Sequence, residues 1–320
     1  MLSLDGVSLV DHHAHGILYA QPSLDELRGL FSESPDPRQW PHVATGVTYR
    51  RAIRELAAFF GLEPSEAAVH EHRLGTDRDE YASALLRATN TELLLVDDGF
   101  PPPGEGTPWQ ELGGLAGCEA RPVLRVESRE PESVREQVAA ARENGFAGLK
   151  TIAAYRGGLD RIAEPVVAAL EANEETGAPL PVQVHCGFGD SDLWLARADP
   201  SHLKPVVERF RETPFVLLHC YPFVREAGWL AHVYGNVWFD LSLTIPHVSR
   251  PAEMVRQALE LAPVSKLLYA SDAARTPELY FLAAKWWREA LAEVLPELLE
   301  DDAETAARRI LRENALELYA

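Results

Sequence analysis

Basic residues are the scarce class in this chain. Lysine and arginine number 30 against 49 aspartates and glutamates, a formal net charge of −19. Such a surface repels phosphate backbones and anionic headgroups, so nucleic acid and membranes are excluded as expected partners. Cysteine is nearly missing: Cys118, Cys186 and Cys220 form no spaced framework. That excludes a disulfide scaffold and points to a reducing, cytoplasmic compartment. Cys186 and Cys220 each follow a histidine on a strand candidate, so they are expected to point outward as small core residues. No apolar run approaches a membrane span. Met1 to Asp5 lacks the basic start and apolar stretch of a secretion signal. What the chain does have is core material, with 46% of its 320 residues hydrophobic.

That material alternates between strand and helix. Strand candidates cover residues 7–16, 92–97, 121–127, 148–153, 181–185, 215–219, 237–241 and 266–271. Helices are expected over 131–144, 159–176, 200–212, 224–234, 251–261, 277–295 (stopped by Pro296) and 303–318. The strands are near-continuously apolar, as in a parallel sheet covered on both faces. A doubly wound open sheet competes, but no glycine-rich phosphate loop follows the first strand. The α/β pattern therefore predicts a single (β/α)8 TIM barrel over residues 1–320. Residues 20–92, broken by Pro35, Pro37 and Pro41, read as a helical insertion after strand one that caps the site.

The most informative stretch is VSLVDHHAHG, from Val7 to Gly16. Side chains at i and i+2 of a strand share a face, so His13 and His15 are expected together, with His12 facing the other way. Two imidazoles at the end of a buried strand make a natural ligand pair; three histidines on a solvated turn are the alternative. In a barrel, chemistry sits at the C-terminal strand ends. Lys150 on strand four, His185 on five, His219 on six and Asp272 after eight all belong to that rim.

This set resembles the amidohydrolase superfamily of metal-dependent barrel hydrolases. The segments HCYPFVREAGWLAHVYGNVWFDLS (from His219) and YASDAARTPELYFLA (from Tyr269) look like the amidohydrolase-like half that some eukaryotic proteins fuse to a glutamine-synthetase half. The resemblance implies that His13 and His15 bind the more buried metal beside Asp272, and that His185 and His219 bind a second ion if one is present. In one-metal subtypes His219 instead orients water or polarises substrate. A strand-four lysine such as Lys150 is implied as a carbamate bridging two cations. Against that stand pairing with Asp272 or Glu127, or holding substrate as a cation. Zinc suits such ligands, and manganese or iron also fit.

The expected activity is hydrolysis of an amide, less so an ester or lactone, by metal-activated hydroxide with Asp272 as general acid–base and His219 assisting. The alternatives are a mononuclear decarboxylase or lyase on the same barrel, and a metal-poor regulatory or binding protein. Tyr155, Arg156 and Arg275 are the substrate-binding candidates for a small polar, carboxylate-bearing molecule. Arg125 and Glu127 end strand three; for each rim arginine an ion pair between loops is the competing role. Trp194, Trp229 and His247 could line the pocket, but packing or surface positions are the more common role for such residues. Asp240 has no evident task, and His42 and His202 are expected to be exposed. A homodimer through the helical insertion or the outer helices is compatible with the sequence, which carries no signal for the oligomeric state.

Overall fold

The structure, a computed structural model, describes residues 2–320. Eight parallel strands pair in sequence order: β1 (Leu9–Ala14), β2 (Thr91–Asp97), β3 (Glu119–Arg125), β4 (Gly148–Thr151), β5 (Val182–Cys186), β6 (Phe215–His219), β7 (Val237–Asp240) and β8 (Leu267–Leu268). The segment after β8 closes the ring onto β1, where Asp272 N donates to His13 O at 2.9 Å and His15 N to Ala273 O at 2.9 Å. This is the expected (β/α)8 barrel. Its last strand is shorter than residues 266–271, because Tyr269 N donates to Ile310 O at 3.0 Å in a C-terminal helix and so leaves the ladder.

Helices connect successive strands. Five lie between β1 and β2, from Leu24–Leu30 to Arg78–Ala88. Ser23 starts the first of them with a reciprocal capping box to Glu26. The helix expected to stop before Pro296 instead runs Pro277–Leu299. A proline four residues from the end removes one N–H bond of the last turn only. The C-terminal helix contains a π turn at Arg309–Glu313, the segment whose Ile310 carbonyl serves Tyr269. Among the described residues, no helix is long and apolar enough to cross a membrane.

The barrel wall packs outward on an apolar layer that includes Leu56, Trp286, Trp287 and Leu291, with Cys186 and Cys220 in it as expected. The lower lumen holds Val10, Leu95, Val123, Val216 and Leu268, closed by Ala315 and Tyr319 from the chain end.

β1 departs from regular alternation. Asp11 pairs with Leu94 and Ala14 with Val96, so β1 carries one extra residue between them. A bulge of this kind shifts every following side chain by one position. His12 is therefore not on the opposite face from His13. Both point into the lumen, where Gln183 lies against His13 Nδ1 and, at 3.5 Å, His12 Nδ1, and where His12 Nε2 lies 2.9 Å from Asp240.

Candidate metal centre

The strand ends converge at the top of the lumen. His13, His15, Lys150, His185, His219 and Asp272 are all buried. His13 Nε2 and His15 Nε2 lie 3.0 and 3.1 Å from the same oxygen, Asp272 Oδ1. Lys150 Nζ is 3.3 Å from His13 Nε2, and His219 Nδ1 is 3.5 Å from Asp272 Oδ2. His185 stands beside this group, its ring centroid 4.5 Å from that of His219. Two sets have ligand atoms close enough to share one ion: His13, His15 and Asp97, and His13, His219 and Asp272. Residues from β1, β2, β4, β5 and β6 and from the segment after β8 thus meet at one point.

His219 and Asp272 reach this point through backbone that non-glycine residues rarely adopt, with φ of 67° and 49°. Neighbours hold both turns. His219 N donates to Asp240 Oδ1 at 2.7 Å, and Asp272 N bonds the His13 carbonyl.

Burial dominates the electrostatics. It pulls the His13 imidazole down to about 4, with Lys150 adding to the effect. Burial also holds His185 and His219 well below the usual histidine range. The Lys150 amine falls to about 8, burial outweighing the attraction of Asp272 and Asp97. For Asp272, burial acts upward, but the surrounding imidazoles, His219 foremost, hold it well below the carboxylate range. Burial thus biases His13, His185 and His219 toward the neutral form, the form that can ligate a cation.

This donor set fits a divalent cation. Gln183 Oε1, which only accepts, lies 2.8 Å from His13 Nδ1, so that nitrogen carries the proton and neutral His13 has a bare Nε2. A bare nitrogen 3.0 Å from a carboxylate oxygen is a repulsive contact unless positive charge sits among these atoms, and the Lys150 ammonium 3.3 Å from Nε2 or a divalent cation in its place supplies it. In addition, the buried His15 Nδ1 and His185 Nε2 have no hydrogen-bond partner.

The site opens into a cavity of about 360 Å³ whose lining includes Tyr155, Arg156 and Arg275 together with Glu33, Phe100 and Asp190. The Tyr155 ring packs 4.7 Å from His185. Its approach requires Gly189, where a Cβ would collide with the Tyr155 hydroxyl. Arg275 Nη2 lies 3.3 Å from Ser32 O and 3.9 Å from Glu33, and Arg156 is exposed. Arg125, by contrast, is taken: it pairs with buried Asp97 at 2.6 Å. Glu127 is not the Lys150 partner, because its Oε1 accepts from Thr151 Oγ1 at 2.6 Å and Ile152 N at 3.0 Å. Trp194 is 69% exposed, and neither it, Trp229 nor His247 lines the cavity. His42 and His202 are exposed.

Sequence reasoning missed Asp97, Gln183 and Ser242. Asp97 ends β2 at the same rim as the candidate ligands, which is a readable signal. Gln183 stands two residues before His185 on one strand face, which is a weaker one. Ser242 has none.

Comparison with known proteins is consistent with this geometry. The amidohydrolase family profile matches residues 120–320. Protein fluG of Emericella nidulans is 37% identical over 169 residues, which are 50% of this chain and 20% of that protein. The chain therefore spans about a fifth of that relative's length. A Lactobacillus casei protein described as a metal-dependent hydrolase superposes with a TM-score of 0.86 at 25% identity, over 99% of this chain and 96% of its own. Uronate isomerase of Thermotoga maritima matches at TM-score 0.60 and 12% identity, over 99% and 95% of the two chains. A manganese-bound 5-carboxyvanillate decarboxylase of Novosphingobium aromaticivorans matches at 0.52 and 14%, over 98% and 96%. At those last two identities the likeness shows the fold alone.

Proposed function

The chain belongs to the amidohydrolase family, and from that premise we propose that it is a metal-dependent hydrolase cleaving an amide bond, or less readily an ester or lactone, of a small polar substrate bearing a carboxylate. The observation that carries this reading is the shared oxygen of Asp272, faced by His13 Nε2 and His15 Nε2 at 3.0 and 3.1 Å. A divalent cation held by His13, His15 and Asp272, with His185 and His219 beside it, would acidify a water and polarise the carbonyl under attack. Zinc suits these ligands, with manganese and iron as alternatives.

The protein's own groups do the rest. Asp272, kept ionised, takes the water proton at its carboxylate and passes it to the leaving nitrogen. Lys150, with its amine lowered to about 8, has a neutral fraction near pH 7 that can add carbon dioxide and lose a proton, leaving a carbamate with two oxygen donors. Arg275 and Arg156 at the mouth orient the substrate carboxylate, and Tyr155 packs beside His185 against it.

The test is metal content per chain and native intact mass under carbon dioxide, followed by an amide library. Two ions with carbamylated Lys150, or one ion with amide turnover, supports the reading; no bound metal after reconstitution sinks it. Arg156→Ala and Arg275→Ala should each raise KM with kcat little changed, and an unchanged KM in both removes the carboxylate. A lyase using one cation is the second reading. It is favoured by His13 being common to both ligand sets, and carbon dioxide release is its readout.

A further inference from the structure

The lumen directly beneath the metal centre is polar, and the mechanism leaves it unused. His12, Gln183, Asp240 and Ser242 are fully buried there, and Tyr319 nearly so. We infer that these five residues form two hydrogen-bonded arms, meeting at an electrostatic contact between His12 and Asp240, that set the tautomers of His13 and His219, which makes His12 and Tyr319 positioning residues of the centre. The inference rests on the proposed function in taking those two histidines as ligands.

Gln183 anchors one end. Its Nε2 donates to the His12 carbonyl oxygen at 2.6 Å. A carbonyl only accepts, so the amide has one possible orientation and its Oε1 faces His13 Nδ1 at 2.8 Å. The proton of neutral His13 is then on Nδ1, and Nε2 is free toward Asp272.

Asp240 anchors the other end. Its Oδ1 accepts from Ser242 Oγ at 2.8 Å, from Ser242 N at 3.0 Å and from His219 N at 2.7 Å. With its only hydrogen committed to Asp240, Ser242 Oγ accepts from His219 Nδ1 at 2.8 Å. His219 too is left with a bare Nε2.

Tyr319 and His12 extend the first arm toward the second. The Tyr319 hydroxyl accepts the second amide hydrogen of Gln183 at 3.0 Å. It donates to His12 Nδ1 at 3.3 Å, with the two rings stacked. The His12 proton is then on Nε2, 2.9 Å from Asp240 Oδ2. That N–H points off the line between the atoms, so this link is an electrostatic contact more than an aligned bond.

Every other atom in the two arms has one consistent role as donor or acceptor. Reversing one tautomer sets two donors or two acceptors face to face in a fully buried lumen. The β1 bulge is what makes the arrangement possible, since regular alternation after Asp11 would not bring both His12 and His13 to the lumen. Tyr319 thus touches the ordering of His13 through Gln183 and reaches that of His219 only through the His12–Asp240 contact.

The experiment uses the full chain, metal-stripped and labelled with 15N-histidine, read by two-bond 15N–1H correlation. Signals are assigned through single His→Gln variants, and Zn²⁺ affinity is measured in parallel. In the native chain, His13 and His219 should both show a protonated Nδ1 and a bare Nε2. Ser242→Ala should give His219 a mixture of tautomers, leave His13 unchanged, and weaken Zn²⁺ binding by about 10–100-fold with the melting temperature held. Tyr319→Phe, which removes only a hydroxyl, should move the ring signals of His12 and His13.

A proton on Nε2 of either ligand histidine in the native chain overturns the inference. So does an unchanged His219 tautomer in Ser242→Ala, or unmoved His13 signals in Tyr319→Phe. A lower melting temperature with native tautomers in the variants also overturns it, because that is a merely structural role. Tautomers as assigned in a chain that binds no Zn²⁺ uphold the hydrogen-bonded arms and defeat the metal reading instead.

Discussion

Along the lower lumen stand Val10, Leu95, Val123 and Trp238, packed toward Tyr319 and its neighbours. Two residues further along the same strands stand His12, Asp97, Arg125 and Asp240. The wall is continuous, yet the two halves obey different energetics. In the lower half each side chain contributes independently, about 1.5–3 kcal/mol for a fully buried Val or Leu. In the upper half each group loses hydration on burial and is tolerated only through its partners, as Asp97 is by Arg125. The contrast teaches where failure is graded and where it is abrupt: packing can be trimmed, whereas a charge network loses function with one atom.

The sharpest break should come from Asp272→Asn. It removes the charge that both His13 and His15 face, and hydrolysis should fall by about 10²–10⁴-fold with loss of bound Zn²⁺. The melting temperature should fall as well, since the depressed Asp272 carboxyl marks a favourable buried pairing whose loss leaves Lys150 uncompensated. Metal analysis and calorimetry on one sample check both halves of that statement. Leu95→Ala is the mirror case, costing about 2–5 kcal/mol in denaturant unfolding while Zn²⁺ stoichiometry is retained. Loss of metal in this variant would show that the halves are not separable.

Acid should sharpen the contrast further. His13 of the metal-free chain is lowered from 6.5 to about 4 by burial. Between those pH values the unfolded chain takes up a proton that the folded chain refuses, so stability falls as pH drops through the window. His13 alone contributes about 3 kcal/mol of that loss, and His185 and His219 act in the same direction. Urea midpoints from pH 7 to 4 should show the slope equally in wild type and Leu95→Ala, and a flat profile contradicts neutral buried imidazoles. The smallest effect is expected from Gly189→Ala. A Cβ there displaces the Tyr155 hydroxyl, so KM should rise several-fold with Zn²⁺ affinity unchanged.

Most of the barrel was legible because its signals are local. Apolar runs of strand length, each followed by a helical pattern, mark the wall, and the ends of those runs mark the rim. That placed His13, His15, Lys150, His185, His219 and Asp272 on one side of the molecule, and the structure brings them together. Errors came where a long-range contact overrode a local rule. Strand eight ends early because Ile310 captures Tyr269 N, and His12 faces the lumen because of the bulge in β1; of the two roles open to Arg125, the ion pair is the one taken, with Asp97.

The sequence by itself determined the alternation of strands and helices, the polar strand ends and the acidic surface, because periodicity and composition need no partner to be read. Only the tertiary structure decided which way His12 faces, that Gln183 and Ser242 hydrogen-bond the His13 and His219 imidazoles, and that Arg125 pairs with Asp97. These depend on register across the barrel, between residues as far apart as His13 and Gln183, 170 positions away, or His15 and Asp272, 257 away. One extra residue in β1 shifts that register, and its effect appears only when the opposite strand is in place.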